Sequence, residues 1–271
     1  MSRTLFEPFV LNENKQFQLG LSECVDMSIR CESPYYISPN LPIDHIFMQS
    51  LKSILFGDFK FGWVNSNLKS GFYLRRLVKA IRANLFLSVI ADQWPEIRII
   101  FVIRSPYKVI DSMIEKSLDG WLFEWTVQDI LNQKKLVEEW LSPFADRIAK
   151  IKTSPERLML RWCIENYIAI NQLQNKNNVL IVSYEQLNQG IGWDAIGAFL
   201  FDRGWVGEPK AELLNRPSKT SPRPLVIANK MKFKHLDNDV VSDLTYLLHL
   251  FKFVELLPEM SCTWEGYLKS L

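Results

Sequence analysis

Hydrophobic residues are concentrated in two short runs, RIIFVIR at residues 98–104 and VLIVSY at residues 179–184. Both runs are rich in isoleucine and valine, and polar or helix-breaking residues bound each of them. This pattern predicts two strands that are covered on both faces, as strands of a parallel sheet are. Trp94-Pro95 precedes the first run and ends any helix before it, because the residue before a proline disfavours the α conformation.

Elsewhere along the chain, apolar residues recur at the spacing of a helix that buries one face. The predicted helices cover residues 44–56, 121–150, 155–174, 193–202 and 238–253. The order of strands and helices predicts an α/β protein, with a parallel sheet flanked by helices on both faces. No internal repeat or low-complexity segment divides the chain, so residues 1–271 are predicted to form a single domain.

Two segments do not follow either pattern throughout. From Tyr73 onward, an apolar stripe through Leu77, Ile81, Leu85 and Val89 indicates an amphipathic helix, although the first residues also suit a short strand. Residues 1–44 contain four prolines and no sustained period, which is typical of loops.

Composition excludes several classes of function. The 32 lysines and arginines nearly balance the 30 aspartates and glutamates, so no excess of positive charge favours nucleic acid or a membrane surface. No apolar run is long enough for a membrane span. Four scattered cysteines and three histidines show no zinc-like spacing, and we expect no metal. Reduced thiols and the absence of a signal-peptide pattern predict a cytoplasmic protein.

The segment IRSPYKVIDS places charged and hydroxyl groups directly after the first predicted strand. Arg104 leaves the strand at its carboxyl end, and Pro106 can begin a helix on whose second turn Ser112 lies. Ligands of open α/β sheets bind at this edge, where helix N-termini favour anions. The pattern predicts a phosphate site formed by Arg104 and Ser112. The alternative is a surface arginine that pairs with a carboxylate.

IRSPYKVIDS resembles the segment of 3'-phosphoadenosine-5'-phosphosulfate (PAPS)-dependent sulfotransferases in which an arginine and a serine eight residues later hold the 3'-phosphate. VLIVSYEQL is similar to that family's strand ending in Tyr-Glu-x-Leu, and RTLFEPF and RPSKTS resemble two further segments. The resemblance implies that PAPS is the donor cosubstrate and that the chain has the P-loop NTPase-like sulfotransferase fold. It also implies roles for individual residues: Arg104, Ser112, Tyr184, Ser218 and Lys219 in binding the nucleotide, and Glu7 as the general base.

The sequence departs from the family pattern at its start, where the Lys/Arg-Ser-Gly-Thr loop that binds the 5'-phosphosulfate has no counterpart. We therefore expect a sulfotransferase domain without its first strand and phosphate loop, truncated at the N-terminus and impaired in sulfuryl transfer to a small-molecule or carbohydrate acceptor. The alternative is a non-catalytic, nucleotide-binding remnant. A P-loop kinase is the least favoured class, because neither the Gly-rich loop with Lys-Ser/Thr nor a magnesium carboxylate follows a strand.

Overall fold

The computed structural model describes residues 2–6, 35–40, 45–56, 75–116, 126–201 and 238–257. These ranges form a helix-rich α/β structure that contains two parallel strand pairs. Strand β1 (Ser2–Phe6) pairs with β2 (Arg75–Lys79), and β3 (Ile99–Ile103) pairs with β4 (Val179–Ser183). The α/β class and the parallel pairing predicted from the sequence are therefore present.

The helices are labelled in chain order. They are α1 (Ile46–Phe56), α2 (Leu87–Gln93), α3 (Pro106–Lys116), α4 (Val127–Leu131), α5 (Lys134–Leu136), α6 (Ala145–Ile148), α7 (Ser154–Leu173), α8 (Tyr184–Asn188), α9 (Trp193–Phe201), α10 (Asn238–Leu250) and α11 (Phe253–Leu256). A 3₁₀ turn, Asn84–Phe86, leads into α2. A π-helical turn, Val137–Leu141, and a second 3₁₀ turn, Ser142–Phe144, join α5 to α6.

The structure corrects three of the sequence-based expectations. The region expected to be loop begins with β1, and Tyr35, Tyr36 and Ile37 are buried within it. Of the two alternatives for this segment, the short strand is confirmed, because Leu77 lies in β2. The helical alternative is wrong for Leu77 and Ile81, whose side chains are both 56% exposed. Helical structure in this segment begins only at Asn84, so the predicted stripe combined a strand residue with helix residues. The long helix expected at 121–150 is divided into short turns over its described part.

One face of the β3–β4 pair belongs to the main hydrophobic core. Ile99, Phe101 and Ile103 of β3 are buried there, and Ile181 of β4 packs beside them. Helices α2, α3 and α7 contribute to the same core. Alternate strand residues point to the same side, so this face is formed by every second residue of the two apolar runs.

The opposite face of the β3–β4 pair packs against α8 and α9. Val182 forms a second buried cluster with Leu187 and Ile196, and Ile100 and Leu180 pack against it. Arg98, just before β3, donates to the Phe199 carbonyl oxygen of α9 and holds that helix near the sheet. Helices therefore cover both faces of this pair, as predicted, although Val102 on the second face remains 47% exposed.

Helix α7 is the longest helix in the described ranges, and it contacts α2, α3 and α10. Thr153 and Glu156 form a reciprocal capping box at its start, which satisfies backbone N–H groups that no helix can pair internally. Its buried face includes Leu160, Ile164 and Ile168. Cys163 lies on this buried face as well, and burial raises the pKa of its thiol.

Helix α3 packs into the main core and also contacts α10. Tyr107 and Ile110 are buried in the main core, and the Tyr107 hydroxyl lies 2.9 Å from the Thr245 hydroxyl of α10. Because Thr245 already donates to the Val241 carbonyl oxygen, Tyr107 is the donor in this bond. The start of α3 is thus fixed against the helical layer as well as against β3. None of the described helices is both long and apolar enough to cross a membrane.

Candidate functional site

The register of β3 and β4 brings the ends of the two strands side by side. Ile103 pairs with Ser183, so the next residues, Arg104 and Tyr184, leave the sheet at the same level. The Arg104 guanidinium carbon lies 5.0 Å from the centroid of the Tyr184 ring, which is cation–π distance. Two residues that are far apart in sequence therefore form the centre of the candidate site.

A second contact joins the two strand ends one residue further on. The Ser105 backbone N–H donates to Oε1 of Glu185 at 3.0 Å. Both residues are buried, Ser105 at 1% exposure and Glu185 at 5%. A hydrogen bond from an N–H to a buried carboxylate is charge-assisted and stronger than a neutral bond, so it fixes the chain where β3 turns into α3.

The same carboxylate also contacts the end of its own strand. Ser183, which caps α8, has its hydroxyl 3.5 Å from Oε2 of Glu185. The Ser183 hydroxyl also accepts a hydrogen bond from the Gln186 N–H at 3.4 Å, which helps α8 to begin immediately after β4. Tyr184 is accordingly the first residue of α8, and not the last residue of the strand as the sequence predicted.

Arg104 has positive charge that the described protein does not neutralise. Its Nε is buried and has no hydrogen-bond partner. Among the described residues, no carboxylate forms an ion pair with the guanidinium, which contradicts the alternative of a surface arginine paired with an acid over these ranges. A buried donor without an acceptor carries a desolvation cost, which an anionic ligand would offset.

The N-terminus of α3 lies next to this arginine. Pro106 begins the helix, and the Val109 N–H donates to the Ser105 carbonyl oxygen as the first helical bond. Ser112 lies in the second turn of α3 and is partly exposed, roughly 10 Å along the helix axis from Ser105. The spacing of seven residues places both serines on the same side of the helix. Arg104, the start of α3 and Ser112 thus line one edge of the structure.

The structure brings together two of the predicted nucleotide-binding residues directly, Arg104 and Tyr184, and places Ser112 on the helix that follows Arg104. Glu7, Ser218 and Lys219 lie outside the described residues, so their predicted roles stay predictions. Within the described ranges, no three histidine, cysteine, aspartate or glutamate side chains approach closely enough to hold a metal ion.

Glu185 is the residue of this site for which the sequence analysis predicted no role. Its position in the sequence could have indicated a role. An acidic residue directly after a predicted buried strand is unusual unless its carboxylate has a partner. The identity of that partner, the backbone N–H of Ser105, depends on the pairing of β3 with β4.

Comparison with known proteins adds no identification: no family model, no curated protein and no solved structure matches the chain. The class of protein therefore has to be inferred from the short segments around Arg104 and Tyr184 and from their geometry. That geometry places the guanidinium of Arg104 at the carboxyl end of a parallel strand pair, the edge at which α/β proteins bind ligands.

Proposed function

We propose that the chain is a PAPS-dependent sulfotransferase whose nucleotide site lies at the carboxyl ends of β3 and β4. The observation that carries this proposal is the Arg104 guanidinium, which has a buried Nε without a partner and is held against the ring of Tyr184. A permanently charged, planar donor that is already oriented, and whose Nε has no acceptor among the described residues, suits a phosphate group.

Each described residue has a distinct role in this proposal. Arg104 binds the 3'-phosphate of the nucleotide, and the hydroxyl of Ser112 donates to the same phosphate from α3. Tyr184 supports one face of the guanidinium. Contact of Tyr184 with adenine, which the family resemblance implies, then uses the part of the ring that Arg104 does not cover. The partial positive charge at the start of α3 adds to the attraction of the phosphate.

The proposed reaction moves a sulfuryl group from PAPS to an acceptor hydroxyl. The acceptor oxygen forms a bond to sulfur, the bond from sulfur to the phosphate oxygen breaks, and adenosine 3',5'-bisphosphate leaves. A base removes the acceptor proton, and Glu7 is proposed for this step, as a carboxylate can serve when its surroundings adjust its pKa. Ser218 and Lys219 are proposed to contact the nucleotide from the RPSKTS segment.

Nucleotide binding is the first test of the proposal. Isothermal titration calorimetry would compare adenosine 3',5'-bisphosphate with adenosine 5'-monophosphate, which differs only by lacking the 3'-phosphate. We expect the bisphosphate to bind more tightly. Arg104→Ala should weaken its binding about 10- to 150-fold, because one charge-assisted contact contributes roughly 1.5–3 kcal/mol. Equal affinities for the two nucleotides would refute the phosphate site.

The chain offers a matched control at the other end of the same strand. Arg98 precedes β3 and donates to the Phe199 carbonyl oxygen, away from the proposed site. Arg98→Ala should leave the preference for the bisphosphate unchanged. If it lowered that preference as much as Arg104→Ala does, a general loss of positive charge would explain both results.

Sulfuryl transfer needs a separate assay with sulfur-labelled PAPS and a panel of sugar, phenol and lipid hydroxyl acceptors. Transfer that Arg104→Ala abolishes would support the full proposal. Selective binding without transfer to any acceptor would favour the second candidate, a nucleotide-binding protein without catalysis. The sequence feature behind that candidate is the absence of a Lys/Arg-Ser-Gly-Thr loop from the 271 residues.

A further inference from the structure

Two adjacent residues at the end of β3 contact two adjacent residues after β4. Arg104 stacks on Tyr184, and the Ser105 N–H donates to Glu185. The four residues, Arg104, Ser105, Tyr184 and Glu185, are named the strand-end clasp. One of its contacts involves the charged group that is proposed to bind phosphate, and the other involves the backbone immediately beside that group.

The carboxylate of Glu185 is near Arg104 in the clasp but does not pair with it. Its Oε1 accepts from the Ser105 backbone, and its Oε2 is next to the Ser183 hydroxyl. With both oxygens facing these donors and the side chain buried, the carboxylate fixes the backbone without occupying the buried Nε of Arg104. An acidic residue that paired with the guanidinium instead would compete with an incoming phosphate.

We infer that Glu185 is a positioning residue that holds the Arg104 guanidinium in its anion-binding orientation through the Ser105 backbone. This inference rests on the proposed phosphate site at Arg104. The residue contacts no ligand itself. Its effect arises because Ser105 is bonded to Arg104, and a backbone free to rotate there would spread the guanidinium over many orientations, which costs affinity.

The length and the acceptor atom of the side chain both matter for this role. Glutamine has the same length and keeps a carbonyl oxygen for the Ser105 N–H, while its amide can face the Ser183 hydroxyl. Aspartate keeps the charge but is one methylene shorter, so its oxygen is withdrawn from the Ser105 N–H. Methionine keeps the approximate length and suits a buried position, but it has no strong acceptor.

The test measures the dissociation constants of adenosine 3',5'-bisphosphate and adenosine 5'-monophosphate for the parent protein, Glu185→Gln, Glu185→Asp and Glu185→Met. The readout is the dissociation constant of adenosine 5'-monophosphate divided by that of adenosine 3',5'-bisphosphate. This ratio reports contact with the 3'-phosphate, and a larger value means a stronger preference for the bisphosphate. We expect Glu185→Gln to keep this ratio within about threefold of the parent. Glu185→Asp and Glu185→Met should lower it about tenfold, in line with the loss of one charge-assisted bond. If Glu185→Met does not fold, Glu185→Asp carries the test, because it keeps the buried charge.

The outcomes separate this inference from the proposed function. If the parent shows no preference for the bisphosphate, the phosphate site itself is wrong. If the parent shows the preference and Arg104→Ala removes it, but the aspartate and methionine variants keep it, the positioning role of Glu185 is overturned. A glutamine variant as weak as the aspartate variant would also overturn it, since the accepting oxygen would then not be what matters.

Discussion

Two arginines at the parallel strand pairs, Arg76 within β2 and Arg104 directly after β3, have different contacts. In β2, Nη1 of Arg76 donates to the Ile54 carbonyl oxygen at 2.6 Å and lies 3.4 Å from that of Ser53, both in the last turn of α1. After β3, Arg104 stacks on Tyr184 and keeps a buried Nε without an acceptor. The first arginine satisfies carbonyl groups at a helix end, and the second has a donor that the described residues leave without an acceptor.

The surroundings of the two pairs differ as well. The central residue of β3, Phe101, is buried in the main core, whereas the central residue of β2, Leu77, is largely exposed. A site that must hold a charge in one orientation needs rigid support. The pair with helices packed on both faces is the one followed by Arg104, whose buried Nε has no acceptor among the described residues. The difference in burial and the difference between the arginines therefore favour the same location for the proposed site.

The largest effect is expected on the free energy of unfolding, when alanine replaces the central residue of β3 and, for comparison, that of β2. Phe101→Ala should lower the free energy of unfolding by about 3–5 kcal/mol, because it leaves a cavity in the main core. Leu77→Ala should lower it by about 0.5 kcal/mol or less, because the side chain is already in contact with solvent. Urea unfolding followed by circular dichroism measures both. Similar losses for the two variants would contradict the contrast in burial.

A smaller effect tests the second face of the β3–β4 pair. Ile196→Ala should cost about 2 kcal/mol, at the low end for such a truncation, because its cluster with Val182 and Leu187 is small. The control is Val102→Ala on the same face, where exposure predicts a loss of about 0.5 kcal/mol. If Ile196→Ala were as mild as the control, α9 would not contribute to covering the sheet.

The two arginines can be compared directly by replacing each with methionine, which keeps the apolar stem and removes the donors. Arg76→Met should lower the free energy of unfolding by about 1 kcal/mol, because carbonyl groups of α1 lose their donor. Arg104→Met should change it by less than about 0.5 kcal/mol, since the lost ring contact is offset by removal of a buried, unsatisfied N–H. Equal losses would mean that Arg104 is as structural as Arg76.

The smallest expected effect on stability concerns α7, the helix that packs in the same core as β3. Partial burial raises the pKa of Glu156, but hydrogen bonds from Thr153, Lys152 and Tyr246 outweigh burial, so the pKa is lowered. A carboxyl group with a lowered pKa in the folded state stabilises the protein above its unfolded pKa, and this stabilisation is lost as the pH falls through the folded value.

Unfolding experiments at several pH values check this sign. Between pH 7 and pH 3, the parent should lose slightly more stability than Glu156→Gln, whose amide does not titrate, by at most a few tenths of a kcal/mol because solvent screens this partly exposed carboxylate. Parallel pH profiles for the two proteins would show that the capping box has no such electrostatic contribution. Neither strand pair takes part in this comparison, so it isolates the contribution of the helix.

Much of the secondary structure followed from local pattern. The two β-branched runs predicted β3 and β4, with the second strand ending one residue earlier than expected, at Ser183. The helix predicted at 155–174 agrees closely with α7, whose capping box was present in the sequence as Thr153 and Glu156. The strands β1 and β2 were harder to predict, because their few apolar residues do not alternate clearly and Leu77 also suited a helical stripe.

Local composition was sufficient to single out Arg104 as a residue at a strand end, because apolar β-branched runs and the polar residues that end them are visible without a fold. Which groups surround the guanidinium of Arg104 depended on tertiary structure. A parallel register aligned Ile103 with Ser183, which set Tyr184 beside the guanidinium and brought a carboxylate 80 residues later to the Ser105 N–H. Hydrogen-bond satisfaction is a property of neighbours in space. Only the folded chain therefore decided that Arg76 donates to carbonyl groups of α1, whereas Nε of Arg104 has no acceptor among the described residues.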